Sequence, residues 1–154
     1  MLSRLLANHI ARTVRGPMWH GPALSDVLRG VTAEQAHARP VAGAHSIWEL
    51  VLHAAAWAEI AKARLHGERT GDPRPDEDWP PVTGSTADEW TAAVERLTAS
   101  YRALAHDVRD LADETLDAKV AGADYTVSNL LHGVIEHGTY HGGQIAILKR
   151  ALVK

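Results

Sequence analysis

Apolar residues recur at steps of three and four along four segments of the chain, which is the spacing of one face of a helix. The first segment covers about 2–29 and the second 46–66. The third begins near Thr86 and continues to about residue 108, and the fourth runs from Thr126 to the C-terminus. No stretch shows the alternation of apolar and polar residues that is typical of a strand. The pattern therefore predicts an all-α fold built from four amphipathic helices.

Two of these helices begin with a recognisable capping sequence. Ser46 is followed three residues later by Glu49, and Thr86 is followed by Glu89. In such a capping box the hydroxyl and the carboxylate satisfy backbone N–H groups that the first helical turn leaves unpaired. We therefore expect the second helix to start at Ser46 and the third at Thr86.

Proline and glycine mark where the helices stop. Gly16-Pro17 and Gly21-Pro22 interrupt the first segment and predict a kink or a split there. The stretch 67–85 is rich in proline, glycine and charge, which is typical of a long loop. Since neither side of this loop is large enough to fold alone, we expect 1–154 to form a single four-helix-bundle domain.

Composition excludes several kinds of function. The chain has no cysteine, so it contains no disulfide, no thiolate metal ligand and no cysteine nucleophile, and any thiol must come from outside. A net charge of −3 argues against nucleic acid as a partner. The first residues lack the features of a signal peptide, and no apolar run is long enough for a membrane helix. We expect a cytoplasmic protein without a membrane partner.

Three histidines interrupt apolar stripes that should face the interior of the bundle. His137 and His141 lie four residues apart in the fourth helix, in line with Val134 and Leu148, and His53 lies in the stripe of the second helix. A shared metal ion would satisfy all three imidazoles at once. With ten histidines in the chain, however, a chance pair at this spacing is common. A lone inward histidine is also more often a hydrogen-bonded core residue than a ligand, so spacing alone leaves both interpretations open.

Longer motifs add to this pattern. Residues 44–57 read AHSIWELVLHAAAW and residues 136–145 read EHGTYHGGQI, while WHGP at 19–22 and DWP at 78–80 stand in the first segment and the long loop. Together these motifs resemble the DinB/YfiT family of bacterial proteins. The likeness extends over nearly the whole chain, and the histidines occur in the family's order and separation.

The resemblance implies a fold and a metal site. The fold is a four-helix bundle with up-down-down-up connectivity, and the site is a divalent metal ion held by His53, His137 and His141. Three imidazoles leave a coordination position open, as in catalytic zinc sites. Imidazole nitrogen suits zinc, nickel, iron and copper, and we expect zinc or nickel.

The resemblance also implies classes of reaction. One is metal-assisted hydrolysis of a small molecule, and the other is S-transfer from a low-molecular-weight thiol such as bacillithiol or mycothiol. The alternative is a metal- or ligand-binding stress-response bundle without catalysis, or one whose site has lost its metal. A homodimer is compatible with this kind of bundle. No catalytic residue is assigned, because no general base stands out in the sequence.

Four further residues are candidates for the surroundings of the site. Gln144 lies one turn beyond His141 and could orient a ligand, or simply cap a polar pocket. Trp48 and Trp57 could wall a substrate pocket, or fill the core in place of the absent phenylalanine. His20, beside Gly21-Pro22, could line the mouth of the site.

Overall fold

The computed structural model describes residues 1–152, and its regular structure there is helical apart from two isolated backbone bridges. A 3₁₀ turn spans Asp113–Asp117. The α-helices are α1 (Leu2–Val14), α2 (Leu24–Leu28), α3 (Ala33–His37), α4 (Ile47–Leu65), α5 (Pro75–Asp78), α6 (Ala87–Arg109) and α7 (Val127–Leu152). The predicted all-α fold class is confirmed.

Both predicted capping boxes start long helices. Ser46 Oγ accepts a hydrogen bond from the Glu49 backbone N–H at 3.2 Å, and the Ser46 N–H donates to Glu49 Oε2 at 2.7 Å. Thr86 and Glu89 make the same reciprocal pair at the start of α6. Each cap satisfies donors that the first turn cannot pair, and such caps contribute about 1 kcal/mol. The first residues of α4 and α6 follow from these caps.

The first predicted segment is split into two helices, which confirms the interruption predicted from its Gly-Pro pairs. After α1 the chain passes Gly16 at a φ of +142°, a conformation that strains any residue with a Cβ, and then Pro17. The helical structure resumes only at α2. Sequence reasoning missed α3, a five-residue helix capped by Thr32 and Gln35, because five residues are too few for a periodicity to register.

The core lies between the four long helices. Helices α1 and α4 each pack against both α6 and α7. Their facing sides are aliphatic and fully buried: Leu6, Ile10, Leu50, Val51, Leu97, Leu104, Leu131 and Ile145. These buried faces account for the apolar stripes in the sequence. Within residues 1–152, no helix is both long enough and apolar enough to cross a bilayer.

Gly138 lets α7 approach its neighbours closely. A Cβ built at this position would lie 2.6 Å from Thr13 Cγ2 of α1 and 2.6 Å from the hydroxyl oxygen of Tyr101 on α6. Tyr101 is fully buried, and burial raises the pKa of its phenol. Since Gly138 follows His137 directly, the close approach also sets how deeply the histidines of α7 enter the bundle.

The predicted loop 67–85 is confirmed, with the short helix α5 inside it. Helix α5 contacts α4, so the loop folds back over the second long helix. Arg69 Nη2 donates to Glu77 Oε2 at 2.6 Å, and the guanidinium lowers the pKa of Glu77 to about 2. Arg64 of α4 donates to the Gly71 carbonyl at 2.7 Å. These contacts hold the loop against the face of α4 that carries His53.

Candidate metal centre

Three histidines from two helices converge on one point. His137 and His141 lie one turn apart on α7, and His53 lies on the facing side of α4. The Nε2 atom of His137 lies 2.9 Å from Nε2 of His53 and 3.0 Å from Nε2 of His141. All three ligand atoms lie within 4.8 Å of one another. The two stripes therefore meet at their imidazoles.

Hydrogen bonds at the far side of two rings fix their tautomers. His53 Nδ1 lies 2.6 Å from the backbone carbonyl oxygen of Asp78, and His141 Nδ1 lies 2.6 Å from Gln144 Oε1. Both oxygens can only accept, so both Nδ1 atoms carry the proton. In the neutral rings Nε2 then has a lone pair, and the lone pairs of His53 and His141 point toward His137.

His137 is the imidazole between these two lone pairs. Its Nδ1 is enclosed and has no hydrogen-bond partner among residues 1–152. A single N–H on its Nε2 would have to face two acceptors at once. A cation at the common point would accept electron density from all three nitrogens, which is why histidine clusters of this kind bind metals.

The three imidazoles are neutral at physiological pH. Burial lowers the pKa of His53 and of His141 below the usual value for histidine. Burial lowers the pKa of His137 further, to about 3, and its two histidine neighbours add to the effect. Neutral imidazole is the form that binds a metal ion.

Two of the three nitrogen separations are close to those around a transition metal ion. Two nitrogens at normal bonding distance from a tetrahedral zinc ion lie about 3.3 Å apart. His137 Nε2 lies 2.9 and 3.0 Å from the other two nitrogens, so in each of these pairs the rings need to move apart by only a few tenths of an ångström. All three nitrogens lie within 4.8 Å of one another. Three neutral nitrogen donors match zinc, nickel, iron or copper and not magnesium or calcium, which prefer oxygen.

The loop 67–85 supplies a second set of groups around the histidines. Trp79 stacks on His53 with ring centroids 3.8 Å apart and on His45 with centroids 3.6 Å apart, so its indole lies between two imidazoles. Asp78 accepts from His53 through its backbone and from Trp57 Nε1 through its carboxylate, at 2.7 Å. The loop therefore covers one side of the cluster and orients one ring.

Comparison with known proteins identifies the family of the chain. The model of the DinB superfamily matches residues 19–145, which is most of the chain. The chain belongs to the DinB superfamily. No curated protein and no solved structure matches it. The predicted family is thereby confirmed, and the three histidines lie within the matched residues.

Of the further candidates in this DinB chain, two lie at the cluster. Gln144 accepts from His141, and its Nε2 donates to the Tyr140 hydroxyl at 3.2 Å. The Trp57 ring lies with its centroid 5.8 Å from that of His137. Both positions follow from the helical stripes on which these residues were predicted.

The other two candidates lie elsewhere. Trp48 is buried in the core, where its ring packs against Trp90 and His37, because its position on α4 faces α6 and α3. Trp48 therefore fills the core, and it also lines a depression that none of the three histidines lines. His20 is exposed in the turn after α1 and lines a separate depression beside Gly142. The split of the first segment carries it away from the three histidines.

Sequence reasoning assigned no site role to Asp78, Trp79 or His45. A signal was present, since DWP at 78–80 was among the motifs that carried the resemblance to the family. Helical periodicity could not place these residues. Asp78 and Trp79 belong to the loop 67–85, and His45 lies at the end of the loop that precedes α4. Their contacts with α4 depend on the path of the loop.

A cavity of about 740 Å³ opens beside the cluster. His53 and His137 stand at one end, and Arg64 and Tyr125 line the other. Its wall includes the Trp57 indole and aliphatic residues of α7. This is within the usual size of a small-molecule site, with an apolar wall and a few polar groups.

Proposed function

We propose that this DinB chain is a metal-dependent enzyme acting on a small molecule, with a divalent ion held by His53, His137 and His141. The observation that supports the proposal best is the convergence of three histidine nitrogens at one point, with two of the histidines, His53 and His137, at the wall of a cavity. Structural zinc sites use four protein ligands and are closed, whereas three ligands beside open space are typical of catalytic sites.

The residues around the cluster have separate roles in this proposal. The Asp78 carbonyl and the Gln144 side chain hold the rings of His53 and His141 in the orientation that ligation needs. Trp79 shields the outer face of His53 from water. The Asp78 carboxylate also lines the cavity. A bound ion would supply Lewis acidity toward a substrate oxygen or would bind a thiolate.

Two reaction classes fit this arrangement. One is hydrolysis, and the other is transfer involving a low-molecular-weight thiol such as bacillithiol or mycothiol, with zinc or nickel as the ion. The chain has no cysteine, so a thiol would have to enter through the cavity. Such thiols occur in a reducing compartment, and a cytoplasmic location is part of this version of the proposal.

We also infer the arrangement of the bundle. Helices α1 and α4 share the neighbours α6 and α7, which supports a single four-helix bundle with α1 diagonal to α4. Up-down-down-up connectivity is the version that the family resemblance implies. The long loop 67–85 between α4 and α6 is long enough to run the length of a helix.

The first experiment is elemental mass spectrometry of protein prepared without a histidine tag and desalted after loading with zinc or nickel. We expect about one ion per chain in the wild type and little or none in His53→Ala and His137→Ala. His132→Ala is the matched control, because His132 is exposed on α7 and outside the cluster. A wild type that retains neither metal would contradict the proposed site.

Catalysis is tested separately on the loaded protein. Activated esters and electrophilic alkenes should be turned over by the wild type, with or without an added thiol according to the reaction class. His137→Ala should lose turnover while keeping its circular dichroism spectrum. Stoichiometric metal without turnover of any such compound would instead favour a metal-binding bundle that has no catalytic role.

A further inference from the structure

The end of the cavity opposite the histidines contains a buried guanidinium. Arg64 is only 8% exposed, which is unusual for arginine unless its charge is paired. Its Nη1 donates to the Tyr125 hydroxyl at 2.5 Å and its Nη2 donates to the Gly71 carbonyl at 2.7 Å. Both acceptors are neutral, so neither compensates the positive charge.

The nearest carboxylate does not compensate that charge fully. Asp72 Oδ1 lies 3.7 Å from Arg64 Nη2, which is beyond hydrogen-bond distance, and its side chain is completely exposed to solvent. A contact of this length to a fully exposed carboxylate contributes little. Asp78, the other acidic residue that lines the cavity, is hydrogen-bonded to Trp57.

Arg64 also has donors to spare. Arginine has five N–H groups, and the bonds to Tyr125 and Gly71 use two, which leaves three. Among residues 1–152 the Nε atom of Arg64 has no hydrogen-bond partner, and it is not one of the enclosed unpartnered atoms, so its N–H faces open space. Arg64 lines the cavity, and that open space includes the cavity.

An indole connects the two ends of the cavity. The Trp57 ring centroid lies 5.8 Å from Arg64 Cζ and 5.8 Å from the ring centroid of His137. Leu130 and Val134 of α7 add apolar wall. The cavity thus has a cationic end, an apolar middle and an imidazole end, all reachable by one small molecule.

We propose that this cavity binds a small molecule carrying a carboxylate, with the carboxylate on the free N–H groups of Arg64 and the apolar body along Trp57. The forked donors of a guanidinium match the two oxygens of a carboxylate. The other end of the molecule then lies at the histidines. The inference rests on the proposed function only for the statement that the end of the molecule at the histidines is the one that reacts. Binding of the carboxylate does not depend on a metal ion.

The test compares acids with their neutral amides. Phenylacetate, phenylpropionate and phenylbutyrate are titrated against the protein by calorimetry, beside the three corresponding amides. In the wild type at least one acid should bind at least about tenfold more tightly than its amide, which is the usual difference for hydrogen bonds to charged groups. Arg64→Met should abolish the preference, whereas Arg4→Met, at an exposed position of α1, should keep it.

Two further measurements separate the outcomes. The preference for the acid should persist in protein that has been stripped of metal with a chelator. A preference that disappears with the metal and survives Arg64→Met would place the carboxylate on the ion. That result would overturn the inference and leave the proposed metal site intact. Failure of every acid to outbind its amide in the wild type would also overturn it. If Arg64→Met does not fold, the Arg64 Nε–H signal in a nitrogen-15 NMR spectrum carries the test, since it should shift with an acid and not with its amide.

Discussion

Two halves of the site are built by different means. His53 on α4 and His137 and His141 on α7 are placed by regular helices whose backbone hydrogen bonds fix their spacing. Asp78 and Trp79 are placed by a loop that is held by individual side-chain contacts. The helical half supplies the nitrogen donors, and the loop half orients one ring and covers it. The nitrogen donors and the groups that cover them therefore belong to separate parts of the chain.

The largest expected effect is in the helical half. His141→Ala removes one of three donors, and we expect the affinity for zinc to fall by at least about 100-fold, measured by competition with a chromophoric chelator. His132→Ala, on the exposed side of the same helix, should match the wild type. Unchanged zinc affinity in His141→Ala would show that the ion is bound elsewhere.

Gln144 tests whether orientation of a ring matters as much as its presence. Gln144→Ala removes the acceptor for His141 Nδ1, and loss of such a partner lowers metal affinity about 10–100-fold. Gln144→Glu keeps an acceptor and should bind zinc about as well as the wild type. Tyr140→Phe removes only the other contact of Gln144 and serves as the matched control. Equal affinities in all three variants would exclude an orienting role.

The helical half could be predicted from the sequence because helical geometry is repetitive. His137 and His141 share a face by their spacing, and Gln144 follows one turn later. His53 was found in the same way, from a stripe that had to face inward. Which helix lies opposite which was not encoded in any stripe, and that part came from the family resemblance.

The loop half and the far end of the cavity could not be predicted in this way. Trp79 meets His53 only because α5 folds the loop back onto α4, and no local pattern encodes that path. Arg64 is in the last turn of α4, where a basic residue is usually a solvated C-terminal charge. Its burial depends on Tyr125 and Gly71, which are distant in sequence or belong to the loop.

Gly138 tests how the helical half is held in place. Gly138→Ala puts a Cβ 2.6 Å from two neighbouring atoms, and we expect the free energy of unfolding to fall by about 1–3 kcal/mol, as for other overpacked cores. Gly143→Ala makes the same change on the same helix where the space is open, and it should raise stability by about 1 kcal/mol. Denaturant unfolding measures both. Equal effects would mean that α7 does not approach α1 and α6 as closely as described.

The smallest expected effect is in the loop half. Trp79→Ala removes the indole between His45 and His53, and aromatic pairs of this kind contribute about 0.5–1.5 kcal/mol, so zinc affinity should fall by no more than about tenfold. The loop itself should loosen, and amide hydrogen exchange in 67–85 should speed up while exchange in α7 stays slow. Trp19→Ala is the control, because Trp19 is fully exposed. A loss of zinc affinity as large as in His141→Ala would mean that the loop holds the ion as firmly as the helices do, and the division between the two halves would have to be abandoned.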